Sequence, residues 1–285
     1  MLFIMIRKLL HLYSNKRIVL GAAIVLLLCS SFELKAQAII GARELAVGQA
    51  VTALRSTSWA MFANPAMMPE EDNTVSFFGV QYYGFAEISD MAASVTHPTK
   101  IGVFGAGAHR YGFDLFNENR LRLGYKNSFL DFHYGAILNY SHVVQGGGYG
   151  SAGAFGVDVG LAAPIFLDLW IGAKATNLNQ PEYGSRNNEK LPRELSVGLS
   201  YQLSDIALFT TDVVKDIQFP ISYRGGVEIN IIENFMGRAG ITTEPQTFSA
   251  GFGYSGTFWS ANIAVQRHED QVLGYSPAID FKITW

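Results

Sequence analysis

The feature that most constrains this chain is a period of two, sustained over segments longer than ordinary globular strands. In Glu194–Gln202, Leu195, Val197, Leu199 and Tyr201 alternate with Glu194, Ser196, Gly198, Ser200 and Gln202. In Ser222–Ile231, Tyr223, Val227, Ile229 and Ile231 alternate with Ser222, Arg224, Gly226, Glu228 and Asn230. In Asp131–Ser141, Phe132, Tyr134, Ala136, Leu138 and Tyr140 face away from Asp131, His133, Gly135, Asn139 and Ser141. Such alternation means sheet with one apolar and one polar face. It recurs from Thr74 to Trp285 in fourteen segments, near 74–85, 88–97, 100–112, 118–128, 130–144, 152–163, 166–177, 193–203, 205–215, 220–232, 234–243, 246–255, 257–268 and 276–285. Globular strands have a mode of about 5–6 residues, whereas a strand crossing a membrane at its tilt needs about 9–11. An even number of long strands joined by short turns predicts an all-β fold: a transmembrane antiparallel β-barrel of about fourteen strands over residues 74–285.

The soluble alternative, a β-sandwich or lipocalin-like barrel, turns its apolar face inward and needs charges outside. Here charged residues are only 16% and hydrophobic residues 49%, against roughly 25% charged in an average soluble domain. The polar faces hold mostly Gly, Ser, Asn, Thr and isolated charges, so the large apolar residues are assigned to lipid and the polar faces to a lumen. The same composition excludes disorder. A single cysteine excludes a disulfide scaffold. A formal charge of −3 without a basic block argues against nucleic acid as a partner.

Residues 1–38 read as an address. Arg7, Lys8, Lys16 and Arg17 precede the apolar run Ile18–Leu28, and Ala36-Gln37-Ala38 supplies a small-residue cleavage site. Eleven helical residues rise roughly 16 Å, about half of a 30 Å hydrocarbon core, so a cleaved secretory signal is expected rather than an anchor. Cys29 follows Leu28 instead of a small residue, which disfavours a lipoprotein. Cleavage removes the lone cysteine and leaves a net charge of −7. Residues 39–73 then form a segment of a different kind. Ala42, Ala46, Ala50 and Ala53 lie at helical spacing, which predicts a short helical segment, either lying on the periplasmic side or packed in the lumen as a plug.

If the polar faces line a lumen, the inward candidates are Arg120, Arg122, Lys126, Asp131, Asp158, Lys174, Glu194, Arg224, Glu228, Arg238, Asp280 and Lys282. Both signs are present, which implies cross-lumen ion pairs more than ion selectivity. Arg43 and Glu44 are expected to pair with such wall charges. Trp170 falls on the polar face and is a candidate constriction or plug contact. Aromatics near strand ends, among them Phe77, Phe78, Tyr125, Tyr201, Tyr223 and Phe258, predict an interfacial girdle. The chain ends on Phe281, Ile283 and Trp285 at alternate positions, which resembles the C-terminal signal read by the outer-membrane barrel assembly machinery.

No catalytic, cofactor or metal site is expected. Gly146-Gly147-Gly148-Tyr149-Gly150 lacks the lysine and helix of a phosphate loop. His97, His109, His133, His142 and His268 lack metal-ligand spacing, and His97 and His109, near strand ends, are expected at the membrane interface. Ser141 and His142 point to opposite faces of one strand, so they form no nucleophile–base pair.

Gly41-Ala42-Arg43-Glu44-Leu45-Ala46-Val47-Gly48-Gln49-Ala50, followed by Trp59-Ala60-Met61-Phe62-Ala63-Asn64-Pro65-Ala66, resembles the start of the FadL-like outer-membrane proteins. That superfamily includes long-chain fatty-acid transporters and the PorV/PorQ proteins of type IX secretion. The positions that match its opening pattern are Gly41, Ala42, Arg43, Leu45, Gly48, Ala50, Asn64, Pro65 and Ala66. Arg238-Ala239-Gly240-Ile241, Phe248–Tyr254, His268 and Leu273-Gly274-Tyr275-Ser276-Pro277 are similar to the PorV/PorQ branch. The resemblance implies a fourteen-stranded barrel with an N-terminal plug in the outer membrane of a Gram-negative bacterium. Fatty-acid transporters of the superfamily are longer, with large external loops. Only Gly146–Ser151 and Asn177–Pro192 are long enough here to shape a mouth, which favours the PorV/PorQ-type reading, a non-enzymatic component of transport or secretion with secretion-system proteins as partners. The alternatives are a channel for fatty acids or another hydrophobic ligand, and a structural barrel or adhesin.

Overall fold

In a computed structural model, the structure describes residues 40–84, 88–147, 150–184, 189–269 and 274–285. The expected export signal, residues 1–38, lies outside them. The strands are β1 (Thr74–Gln81), β2 (Ser89–Thr99), β3 (Gly102–Phe113), β4 (Phe116–Phe129), β5 (Phe132–Gln145), β6 (Gly150–Phe166), β7 (Leu169–Thr176), β8 (Glu182–Tyr183), β9 (Glu189–Lys190), β10 (Glu194–Leu203), β11 (Ala207–Asp216), β12 (Ser222–Ile232), β13 (Phe235–Thr243), β14 (Gln246–Ser255), β15 (Trp259–His268) and β16 (Tyr275–Thr284). β8 and β9 pair only with each other; the other fourteen close into a barrel, each antiparallel to its chain neighbour. Closure is made by β1 against β16, from Thr74↔Thr284 to Val80↔Ala278. Beyond this ladder Asn73 and Trp285 exchange backbone hydrogen bonds, both 3.2 Å. A closed ladder leaves no strand edge unpaired in lipid, the condition for spanning with sheet.

The period of two sets the wall. On β10, Leu195, Val197, Leu199 and Tyr201 are 37–51% exposed on the outer face, while Glu194, Ser196 and Ser200 are nearly inaccessible inside. Burial is therefore inverted relative to a soluble barrel: large apolar side chains point out and small or polar ones point in. Phe281, Ile283 and Trp285 point outward in the same way. Two strand residues depart from the expected faces. Phe78, expected in the girdle, is buried inside against Trp59 of the plug, because Phe77 and Phe78 are adjacent and only one can face lipid. His109, expected at the membrane interface, is buried on the inner face and bonded to Asp90 across the β2–β3 pair.

The two rims differ. At one, where β1 begins and β16 ends, the six hairpin connections are two or three residues long. At the other lie the longer connections, including residues 177–193, which carry the β8–β9 hairpin. That connection folds back on the wall: Leu191 and Pro181 are buried, and the Tyr183 hydroxyl reaches Glu118 of β4 at 3.0 Å.

Candidate functional site: the luminal plug and its wall

Residues 40–68 run inside the barrel. Their only α-helix is α1 (Ala42–Ala46), followed by turns and a 3-10 turn at Pro65–Met67. Ile40, Ala42, Leu45, Ala46, Val47, Ala50, Val51, Ala53, Leu54, Trp59, Ala60, Met61, Ala63, Ala66, Met67 and Met68 are all at most 4% exposed. The alanines expected along one helix are thus shared between a single turn of helix and a coil. Small side chains let this coil press on the sheet, and the sheet answers with glycine. Gly226 and Gly240 face each other across β12 and β13, and a Cβ on either would overlap the backbone of Val47 or Gly48. A backbone packed this closely buries amides and carbonyls, and each needs a partner.

The wall supplies those partners from inward side chains. Asp280 accepts from the backbone nitrogens of Ala42 at 2.7 Å and Arg43 at 3.3 Å. Asp212 accepts from the nitrogens of Val51 at 2.8 Å and Thr52 at 2.9 Å, and from the Thr52 hydroxyl at 2.7 Å. Ser200 donates to the carbonyl of Ala53, Arg122 to that of Met61 and Lys126 to that of Met68, each at 2.8 Å. Asn64 donates to the carbonyls of Thr52 at 2.6 Å and Leu161 at 3.2 Å, while its side-chain oxygen accepts from the Ala66 nitrogen. The Asn-Pro-Ala turn is in this way both a cap for the 3-10 turn and a bolt into β6.

One charge circuit ties the plug to β12–β16, and separate ion pairs line other parts of the wall. Arg43 donates to Glu228 through Nε at 2.8 Å and Nη2 at 3.0 Å. Arg238 donates to the same carboxylate and to Asn262, and Asn262 donates to Asp280, which returns to α1. The circuit therefore closes through the plug. Across the lumen, Arg122 lies 3.3 Å from Asp158 and 5.0 Å over the ring of Phe62. Lys174 pairs with Glu194 at 3.2 Å, and Arg224 lies 4.0 Å from the same carboxylate. Arg120 pairs with Glu118 at 2.6 Å. Trp170 faces inward, with Arg55 of the plug 5.1 Å above its ring and His133 5.1 Å away. Glu44, fully buried on α1, accepts from the Thr57 hydroxyl. Burial and the nearby Asp280 carboxylate push its pKa up to about 7.

The inward candidates Arg120, Arg122, Lys126, Asp158, Glu194, Glu228, Arg238 and Asp280 are buried within the barrel, and the side chains of Lys174 and Arg224 are almost so. Asp131 is a correction: it lies in the exposed β4–β5 turn, since β5 begins one residue later. Asp212, Asn262 and the Asp90–His109 pair escaped the sequence reading. Asp212 carried one signal, an isolated acid in the Val- and Thr-rich run Thr210–Val214.

No protein-family model matches the sequence, and no curated protein matches it either. Solved structures do. A monoaromatic hydrocarbon channel, the TodX deltaS2S3 mutant, superposes with a TM-score of 0.65 at 12% identity, covering 86% of this chain and 97% of that one. The toluene transporter TbuX of Ralstonia pickettii gives 0.61 at 15%, covering 86% and 97%. A FadL homologue of Pseudomonas aeruginosa gives 0.55 at 10%, covering 86% and 98%. At such identities the likeness is one of fold. The chain is a closed fourteen-stranded transmembrane antiparallel β-barrel with the fold of these channels, and residues 40–68 fill its lumen.

Proposed function

We propose that this protein is an outer-membrane channel for hydrophobic solutes, such as long-chain fatty acids or small hydrocarbons, made after signal-directed export and barrel assembly. The observation that carries the reading is a closed barrel filled by its own N-terminal segment, in the fold of hydrocarbon channels. Its chemistry is binding and passage, not bond making. Apolar groups line part of the interior, where Trp59, Phe62, Phe78, Met61 and Met68 meet, and a solute crossing the lumen displaces some of these contacts. The rim with two- and three-residue turns faces the periplasm, as bacterial barrels are built, and the 177–193 connection faces outward.

A second reading, a PorV/PorQ-type component of protein secretion, is favoured by the short outer connections, of which only 177–193 is longer than seven residues. One strain separates the two. A deletion mutant is assayed for uptake of radiolabelled oleate and toluene and for its secreted proteome. Slower uptake with an unchanged secretome supports the channel. Normal uptake with lost secretion overturns it in favour of the secretion component.

A further inference from the structure

The joint between α1 and the wall holds an arrangement that solute passage does not require. A cleft of about 220 Å³ opens between the plug and strands β12–β16, lined by Arg43, Glu44, Ser58, Arg238 and Lys282. Around it most charges are committed. Glu228 takes hydrogen bonds from Arg43 and Arg238. Both oxygens of Asp280 are engaged, one by the α1 amides and one by Asn262. Glu44 differs: one carboxyl oxygen accepts from Thr57, and the other is buried without a partner.

We propose that Glu44 is a proton-operated latch for the plug. With its proton on, Glu44 is a neutral group that sits in the α1–wall joint beside Asp280. With its proton off, a second carboxylate stands next to Asp280 in a dry joint. Repulsion between them and the cost of burying an unpaired charge then drive it into the adjacent cleft toward Lys282. Because Glu44 lies on α1 and also holds Thr57, this movement lifts α1 and the 55–59 bend together. The groups facing Glu44 are Arg43 on its own helix, Asp280 and Lys282 on β16, Glu228 on β12 and Arg238 on β13.

The direction follows from linkage. The seated form binds the proton more tightly than a solvated carboxylate does, so it is favoured at low pH and loses stability as pH rises. The loss accumulates from the ordinary value of 4.5 up to about 7 and then levels off. At tenfold per pH unit, the seated-to-lifted ratio falls by roughly 300-fold across that window.

The test is a pulsed electron paramagnetic resonance distance between spin labels at Ser56→Cys and Asp205→Cys, both exposed in the structure, in the full mature chain in liposomes. The expected result is a distance distribution that changes with a midpoint between pH 4.5 and about 7 and becomes pH-independent in Glu44→Gln, held at the low-pH distance. Lys282→Met is expected to move the midpoint to higher pH, by removing the charge that receives the ionised carboxylate. A heat-dependent gel shift confirms that each variant is folded. A distribution that does not respond to pH, or that responds equally in Glu44→Gln, overturns the proposal. No solute enters this measurement, so its outcome is independent of what the channel carries.

Discussion

Single wall side chains hold the plug by its backbone. Asp212 is the clearest, one carboxylate oxygen receiving three donors from Val51 and Thr52. Hydrogen bonds to charged groups contribute about 1.5–3 kcal/mol each, and a buried donor left unpaired costs about 1–3 kcal/mol. Asp212→Ala is therefore expected to free residues 49–58 while leaving the barrel closed. Limited proteolysis with mass spectrometry reads this as new cuts in that stretch, with the heat-dependent gel shift retained. Arg43 and Glu228 form the matching pair on the other side. A double-mutant cycle of Arg43→Met and Glu228→Gln, read by the same proteolysis rates, is expected to show coupling of about 1–3 kcal/mol. Additive effects would mean that the circuit through Arg238 does not act as a unit.

At the scale of elements, the plug and the sheet fit because one is nearly bare of side chains where the other comes close. Gly240→Val places atoms where Gly48 lies and is expected to push the 47–48 turn off β13. Gly79→Ala meets nothing within 4 Å and serves as the neutral comparison. In planar bilayers, Gly240→Val is expected to raise conductance above that of the native protein and of Gly79→Ala. Equal conductance for all three would show that residues 47–48 do not seal the lumen. Most of the strands were legible in the sequence, because alternation survives any packing. The β8–β9 hairpin was not, since two-residue strands carry no period. The conformation of residues 40–68 was not legible. Alanines at helical spacing predict a helix, whereas the helix stops after Ala46 and the chain turns at Gly48 and Gln49, both at positive φ, where it presses on Gly226 and Gly240.

Residues 40–285 make a closed wall filled by its own N-terminal segment, and the test at this scale is orientation. Outside residues 1–38 the chain has no cysteine, so single cysteines report cleanly. A membrane-impermeant maleimide added to intact cells is expected to label Glu182→Cys, on the 177–193 connection, and to leave Asp205→Cys, on the short-turn rim, unlabelled until the cells are opened. The reverse pattern would invert the assignment of the rims.

The sequence by itself determined that the chain is a long-stranded barrel with its apolar side outward. Strand period, strand length and charge deficit are local properties, and lipid selects among folds by them. The Gly-Ala-Arg and Asn-Pro-Ala runs set residues 39–73 apart from the strands but left open whether that segment lies beside the barrel or inside it. The tertiary structure decided what those runs touch. Asp280 and Ala42 are 238 residues apart in sequence, and no local pattern carries that distance. Whether Phe77 or Phe78 faces lipid, whether Asp131 ends a strand or sits in a turn, and which carboxylate receives α1 all depend on register around the closed wall. Hairpin turns set the register of neighbouring strands, and the β1–β16 pairing closes the ring and so decides which strands meet across the lumen.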